Sequence, residues 1–261
     1  MKSKIAFISF LIFYISTSII YSGEWVAFKS LTKSTGFELK GILTKPTGQG
    51  PFPAVVMLHG AGGIESEGKS LDIWAQRIAD WGYISLLVDS FTPRGESNIT
   101  DNVSAISART RAQDAYDAKS YLNGLPFVKK NQIAIMGWSH GGWSLLRAGD
   151  NLMHMEDRGE PFQLGVAFYP YCDISLKNLN TPILILAGEL DDWCPVEMCQ
   201  SGMPSEKGKH EVILKIYTEA THCFDYVGID KTINGHRLLY NPSATNDAIK
   251  QVKKYLGKYL Q

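Results

Sequence analysis

Short apolar runs alternate with stretches of helical periodicity along most of the chain, and this alternation limits its fold more than any single residue does. Residues 54–58, 83–88, 132–136, 164–169, 182–187 and 212–217 read as short buried strands, apolar along their length rather than alternating. Between them, residues 70–81 carry Leu71, Trp74, Ile78 and Trp81 at helical spacing. Residues 104–122 form a long Ala-rich amphipathic stretch, residues 139–148 follow directly on a strand, and Ser243 can cap a last helix ending near Tyr259. Residues 24–30 and 37–44 read as an opening hairpin, residues 45–52 as a Pro/Gly-rich connection, and residues 151–161 as an exposed polar loop. Strands alternating with helices imply an α/β chain, with a mostly parallel sheet flanked by helices on both faces. Ligands of such sheets bind beyond the carboxyl ends of the strands, so the residues that follow each strand carry the functional information.

The first residues are of another kind. Lys2 and Lys4 precede an uncharged apolar run from Ile5 to Ile20, small residues follow, and the first acid is Glu24. A basic start, a short apolar run and small residues make a signal peptide over residues 1–23, leaving 24–261 as one domain. The run is short of the roughly 20 residues that span a bilayer. Export to the periplasm or medium is expected, with an uncleaved anchor as the rival, and both Ser18 and Ser22 offer a cleavage position. With 26 basic and 26 acidic residues, the chain has no net charge to recruit nucleic acid or anionic lipid. Its four cysteines lack metal-site spacing, and in an exported chain an even number points to disulfides.

Three strand ends carry the chemistry. After residues 132–136 comes Gly137-Trp138-Ser139-His140-Gly141-Gly142, a G-x-S-x-G segment set between strand and helix. The glycines permit a sharp turn that exposes the serine hydroxyl at the head of a helix, whose amides face developing negative charge. The alternative is a Gly-rich turn without chemistry. After residues 54–58 comes His59-Gly60-Ala61-Gly62-Gly63, a turn able to aim the Ala61 N–H, together with that of His140, at a carbonyl oxygen. A phosphate loop is the competing assignment, but the spacing is not G-x-G-x-x-G. After residues 182–187 come Asp191 and Asp192, and after residues 212–217 comes His222. A serine hydroxyl needs an imidazole to take its proton, and the imidazole needs a carboxylate to fix its tautomer. The order Ser, Asp, His fits this sheet architecture. Of the six histidines, His59 and His140 belong to the two turns, while His154, His210 and His236 lie in polar segments. Only His222 follows a late strand.

Together these motifs resemble the dienelactone hydrolase family of the α/β-hydrolase fold, over nearly all of residues 24–261. The best matches are residues 137–142, the segment from Gly188 to Pro195, and residues 220–224. Asp89-Ser90-Phe91 with Arg94-Gly95 also resembles extracytoplasmic relatives. The resemblance implies a single α/β-hydrolase domain without a large cap, no cofactor and no metal, and a small-molecule ester or lactone as substrate. Its G-x-x-D-x-x-x-P pattern places the acid on Asp191 rather than Asp192. Founding members use a cysteine where this chain has Ser139, which favours oxyesters and leaves dienelactone itself in question. They hold a substrate carboxylate with arginines, a role open to Arg94; a salt bridge pinning its loop is the other role open to it.

On this layout the loops bearing Asp191 and His222 are neighbours, so a Cys194–Cys223 disulfide is expected between them, with Cys172 pairing Cys199. Trp138, Trp143, Tyr169, Tyr171, Trp193 and Phe224 either wall an acyl pocket or pack around strand ends; Trp138 and Trp193 are the candidates for substrate contact. The expected function is an exported serine hydrolase of carboxylic esters. Two other classes stay open: a peptidase or acyltransferase on the same triad, and a binding protein that kept the fold. Peptidases of this fold usually carry a large additional domain, which is not expected here. The sequence leaves oligomeric state and acyl preference undecided.

Overall fold

The computed structural model describes residues 21–30, 38–152, 159–205 and 208–261. The apolar leader, the tip of the opening hairpin and His154 therefore lie outside the described residues. Eight strands form one sheet in the order β1-β2-β4-β3-β5-β6-β7-β8. β1 (Glu24–Lys29) and β2 (Glu38–Thr44) are antiparallel, and β2 is antiparallel to β4 (Ile84–Asp89). β3 (Phe52–Leu58), β5 (Val128–Trp138), β6 (Gly165–Phe168), β7 (Ile183–Gly188) and β8 (Val212–Tyr217) continue from β4 in parallel. The mostly parallel sheet read from the sequence is thus the one observed.

Helices cover both faces, as a parallel sheet requires. α2 (Ala108–Asn123) and α3 (His140–Gly149) pack on one face, through Ala112, Ala115, Leu122, Leu145 and Leu146. α1 (Gly63–Asp80) and α5 (Pro242–Tyr259) cover the other, through Leu71, Trp74, Ile78, Val252 and Leu256. None of the described helices is long and apolar enough to cross a membrane.

Three boundaries differ from the sequence expectation for local reasons. α1 begins at Gly63, because the Ser66 hydroxyl donates to the Gly62 carbonyl at 2.6 Å and Glu67 accepts the Gly62 N–H at 2.8 Å. α2 begins at Ala108, where Ser107 accepts the Thr110 N–H at 3.1 Å, and residues 99–106 instead pack Ile99 and Ile106 against Phe91. α5 is capped by Asn241 rather than Ser243: its side chain accepts the Ala244 N–H at 3.0 Å, and Pro242 occupies the first turn, where no N–H is needed. A second, two-stranded sheet was not foreseen. β9 (Asp230–Ile233) and β10 (His236–Leu239) meet through Asn234-Gly235, both at positive φ, which is the two-residue hairpin signal.

One disulfide ties α4 (Val196–Gly202) to the loop after β6, between Cys172 and Cys199, 27 residues apart. The expected Cys194–Cys223 bridge is not formed, and both cysteines are buried thiols. Both thiols lie near Asp191; Cys223, at φ 57°, also lies near Tyr169 and the Glu67 and Asp225 carboxylates. The loops do meet, but through Asp191 and His222 rather than through sulfur. A closed loop of this length restricts the unfolded chain by about 3.5 kcal/mol. Cys199→Ser should therefore lower unfolding free energy by roughly that amount in urea titrations, and reductant should lower the wild type to match.

Candidate active site

The turn between β5 and α3 carries Ser139 at φ 51° and ψ −115°, a conformation that costs energy for a residue with a side chain. Two glycines make it sterically feasible. A Cβ on Gly141 would stand 2.1 Å from the Leu58 carbonyl oxygen at the end of β3, and one on Gly137 would stand 2.3 Å from that of Gly141. The backbone can therefore double back tightly against the neighbouring strand and lift the Ser139 side chain above the sheet.

His222 Nε2 lies 2.9 Å from Ser139 Oγ, and His222 Nδ1 lies 2.7 Å from Asp191 Oδ2. The other carboxylate oxygen of Asp191 accepts the N–H groups of Trp193, at 3.0 Å, and Cys194, at 2.8 Å. Asp191 and His222 are both buried. A carboxylate can only accept, so His222 carries its proton on Nδ1 and turns Nε2 as an acceptor to the serine hydroxyl. Asp192, one residue on, is exposed and pairs with His236 Nδ1 at 3.1 Å, so of the two adjacent acids it is Asp191 that meets His222. The His222 ring is flanked by Tyr169, with ring centres 4.6 Å apart, and by Trp193 at 5.4 Å, which itself stacks on His236.

The two glycine-rich turns meet at the serine. Ala61, Ser139, His140 and His222 line one open cleft of about 1170 Å³. The His140 ring is held at both nitrogens. Its Nδ1 accepts from Arg111 at 2.9 Å, and its Nε2 donates to the Val103 carbonyl at 3.1 Å. Arg111 also donates to the His59 carbonyl at 2.5 Å, so one fully buried guanidinium joins both turns. Burial, reinforced by the Arg111 charge, pushes His140 down to about 3 and holds His59 well below the usual histidine range.

Two candidate substrate contacts lie outside the cleft, and for Arg94 it is the salt bridge, the other role open to it, that is found. Arg94 does not face the cleft: its guanidinium forks onto Asp114 at 2.7 and 2.8 Å and donates to the Ser90 carbonyl, pinning its loop to α2. Trp138 is fully buried, because it is the last residue of β5 and faces the layer under α1, stacked on Phe168. Its indole N–H donates to Asp225 at 3.0 Å, beside those of Trp74 at 2.8 Å and the Tyr169 hydroxyl at 2.7 Å. Tyr169 and Phe224 are buried as well, whereas Trp143, Tyr171 and Trp193 line the cleft. Two cleft-facing contributors escaped the sequence analysis, Glu67 and the β9–β10 hairpin; the Asn234-Gly235 pair could have signalled the hairpin.

A sequence model of the dienelactone hydrolase family matches residues 39–260. Among solved structures, a dienelactone hydrolase from Anabaena variabilis superposes with a TM-score of 0.68 at 20% identity, over 92% of this chain and 100% of that one. An esterase from Thermogutta terrifontis superposes with a TM-score of 0.65 at 15% identity, over 92% of this chain and 95% of that one. At such identities the likeness shows the fold. A probable dipeptidyl-aminopeptidase B from Botryotinia fuckeliana is 28% identical over 150 residues, 53% of this chain; the chain spans only 15% of that relative's length.

His140 and His59 are held neutral in the fold and are free to protonate when it opens. Their stabilising effect is therefore complete above about pH 6.5 and is lost as pH falls toward the depressed folded values. Unfolding free energy should fall by up to about 1.4 kcal/mol per pH unit for each histidine across that window. Urea titrations at a series of pH values should show this slope reduced by about one proton in His140→Gln.

Proposed function

The chain belongs to the dienelactone hydrolase family, whose members act on ester bonds, and from that premise we propose that it is an exported serine hydrolase of carboxylic esters. The observation that carries the proposal is the continuous hydrogen-bond relay from Asp191 through His222 to Ser139 at the floor of an open cleft. Ser139 Oγ attacks the ester carbonyl carbon while its proton passes to His222 Nε2. Asp191 stabilises the resulting imidazolium, and the N–H groups of Ala61 and His140 donate to the negative oxygen. Collapse expels the alcohol, which takes the proton from His222. Water, deprotonated by His222, then releases the acid and restores Ser139.

The cleft supports a neutral substrate. Among its described lining residues, Lys69 and Lys231 are outnumbered by Glu67, Glu96, Asp101 and Asp230, and no arginine takes part. Trp143, Tyr171 and Trp193 provide apolar surface next to Ser139. The similarity to dipeptidyl-aminopeptidase B favours amide cleavage as a second reading.

Hydrolysis of p-nitrophenyl esters separates these readings. Wild type should cleave neutral esters at least tenfold faster, in kcat/KM, than a p-nitrophenyl hemiester of a dicarboxylic acid, and faster than a dipeptide p-nitroanilide. Ser139→Ala and Asp191→Asn should lose several orders of magnitude in kcat, and Asp192→Asn less than about threefold. Activity retained in Ser139→Ala would remove the serine from the mechanism, and anilide cleavage exceeding ester cleavage would establish the peptidase.

Export belongs to the same proposal. It is supported by the basic and apolar leader and by the Cys172–Cys199 disulfide, a bond that persists in oxidising compartments. The Tyr21 hydroxyl donates to the Ile64 carbonyl at 3.2 Å, and Ser22 donates to Asp72 through its N–H at 2.9 Å and its hydroxyl at 2.7 Å. These contacts support cleavage after Ser18, which preserves them, over cleavage after Ser22. N-terminal sequencing of protein recovered outside the cytoplasm should begin at Ile19; a start at Gly23, or retention of the leader, would contradict it.

A further inference from the structure

A carboxylate outside the Ser139–His222–Asp191 relay joins the two halves of the site. Glu67 lies in the second turn of α1 and lines the cleft. Its Oε1 accepts the Gly62 N–H at 2.8 Å, and its Oε2 accepts the Gly60 N–H at 2.7 Å and the Tyr226 hydroxyl at 2.8 Å. Gly60 and Gly62 bracket Ala61, and Tyr226 lies four residues after His222. The approach is close: a Cβ on Gly60 would stand 2.6 Å from Oε1 and one on Gly62 2.8 Å from it, so a side chain at either position would displace the carboxylate. From the other side, the Ala61 carbonyl accepts the Ile99 N–H at 2.9 Å. The peptide units around Ala61 are thus fixed at three points, two of them on one carboxylate.

We propose that Glu67 is a positioning residue of the hydrolytic site, holding the Ala61 amide in register with Ser139 and His222. This rests on the acyl-transfer reading above, because it assigns the Ala61 N–H to the carbonyl oxygen. All three partners are donors, so the side chain must offer acceptors only. Glutamine fills the same volume but puts an –NH₂ against at least one N–H or O–H. Replacement by glutamine therefore disturbs the turn without emptying it, and the loss falls on the transition state, where the amide bears charge, more than on substrate binding.

The test measures the rate at which a fluorophosphonate labels Ser139, alongside ester kinetics, in wild type, Glu67→Gln, Tyr226→Phe and the exposed neighbour Glu65→Gln. The phosphoryl oxygen occupies the place of the oxyanion, and final stoichiometry counts folded sites. Glu67→Gln should reach full stoichiometry at a rate about 10- to 100-fold lower per site, with kcat falling in parallel and KM within about threefold. Tyr226→Phe, which keeps both amide bonds, should show a smaller decrease, and Glu65→Gln none. Reduced stoichiometry with a wild-type rate at the remaining sites would make Glu67 a merely structural residue and overturn the inference. If Glu67→Gln does not fold, an unchanged rate in Tyr226→Phe overturns it as well. Wild type that is labelled but cleaves no ester would defeat the ester reading alone, and the labelling rates would still decide the role of Glu67. Wild type that resists labelling defeats both.

Discussion

Everything in the site is referenced to the turn at Ser139. A non-glycine residue at φ 51° is held there only by a surrounding structure that leaves it no alternative. That structure is the end of β3: the Leu58 and His59 carbonyls lie so close to Gly141 that any side chain at that position would collide with them. The same contact brings the glycine-rich turn after β3 alongside the head of α3. One steric constraint therefore sets both the height of the serine hydroxyl and its distance from the Ala61 and His140 amides.

Beneath that turn, burial and then the Arg111 charge keep the two histidines of the motif segments from acting as bases. A guanidinium can only donate, so the His140 Nδ1 that faces it must be an acceptor. Protonating either His140 or His59 would put a second buried cation beside the first. Their pKa values are depressed by burial first and by Arg111 second, and among the described residues His222 is the imidazole that meets the serine hydroxyl.

The sequence made the sheet legible because its strands are buried on both faces and therefore continuously apolar. The register of each motif at a strand end followed from that, and Ser139, Asp191 and His222 converge as their order implied. What escaped depends on side-chain direction, which composition does not encode. Trp138 precedes the serine by one residue and so points into the layer under α1, not into the cleft. Arg94 is near the site in sequence, but Asp114, one turn of α2 beyond Arg111, captures its fork. Cys194 and Cys223 sit on touching loops, yet both remain buried free thiols, Cys223 in the left-handed region at φ 57°. Adjacency along the chain identified the right loops and could not orient what they carry.

The loop from His222 to Tyr226 shows how such orientation is fixed. Three carboxylates hold it, each accepting from three donors. Asp191 takes the His222 ring together with the Trp193 and Cys194 amides. Asp225, itself in the loop, takes the Trp74 and Trp138 indoles and the Tyr169 hydroxyl. Glu67 takes the Tyr226 hydroxyl and the Gly60 and Gly62 amides. Burial pushes the Asp225 and Glu67 carboxyls up, which leaves each charge dependent on its donors. A satisfied buried carboxylate is directional and intolerant of displacement, because losing one partner exposes it to the full cost of desolvation. Apolar packing alone would let the loop slide by a fraction of an ångström at little cost. Three hydrogen-bonded carboxylates, one on α1, one in the loop after β7 and one in the loop itself, do not permit this, and an imidazole that must meet a hydroxyl at 2.9 Å needs that restriction.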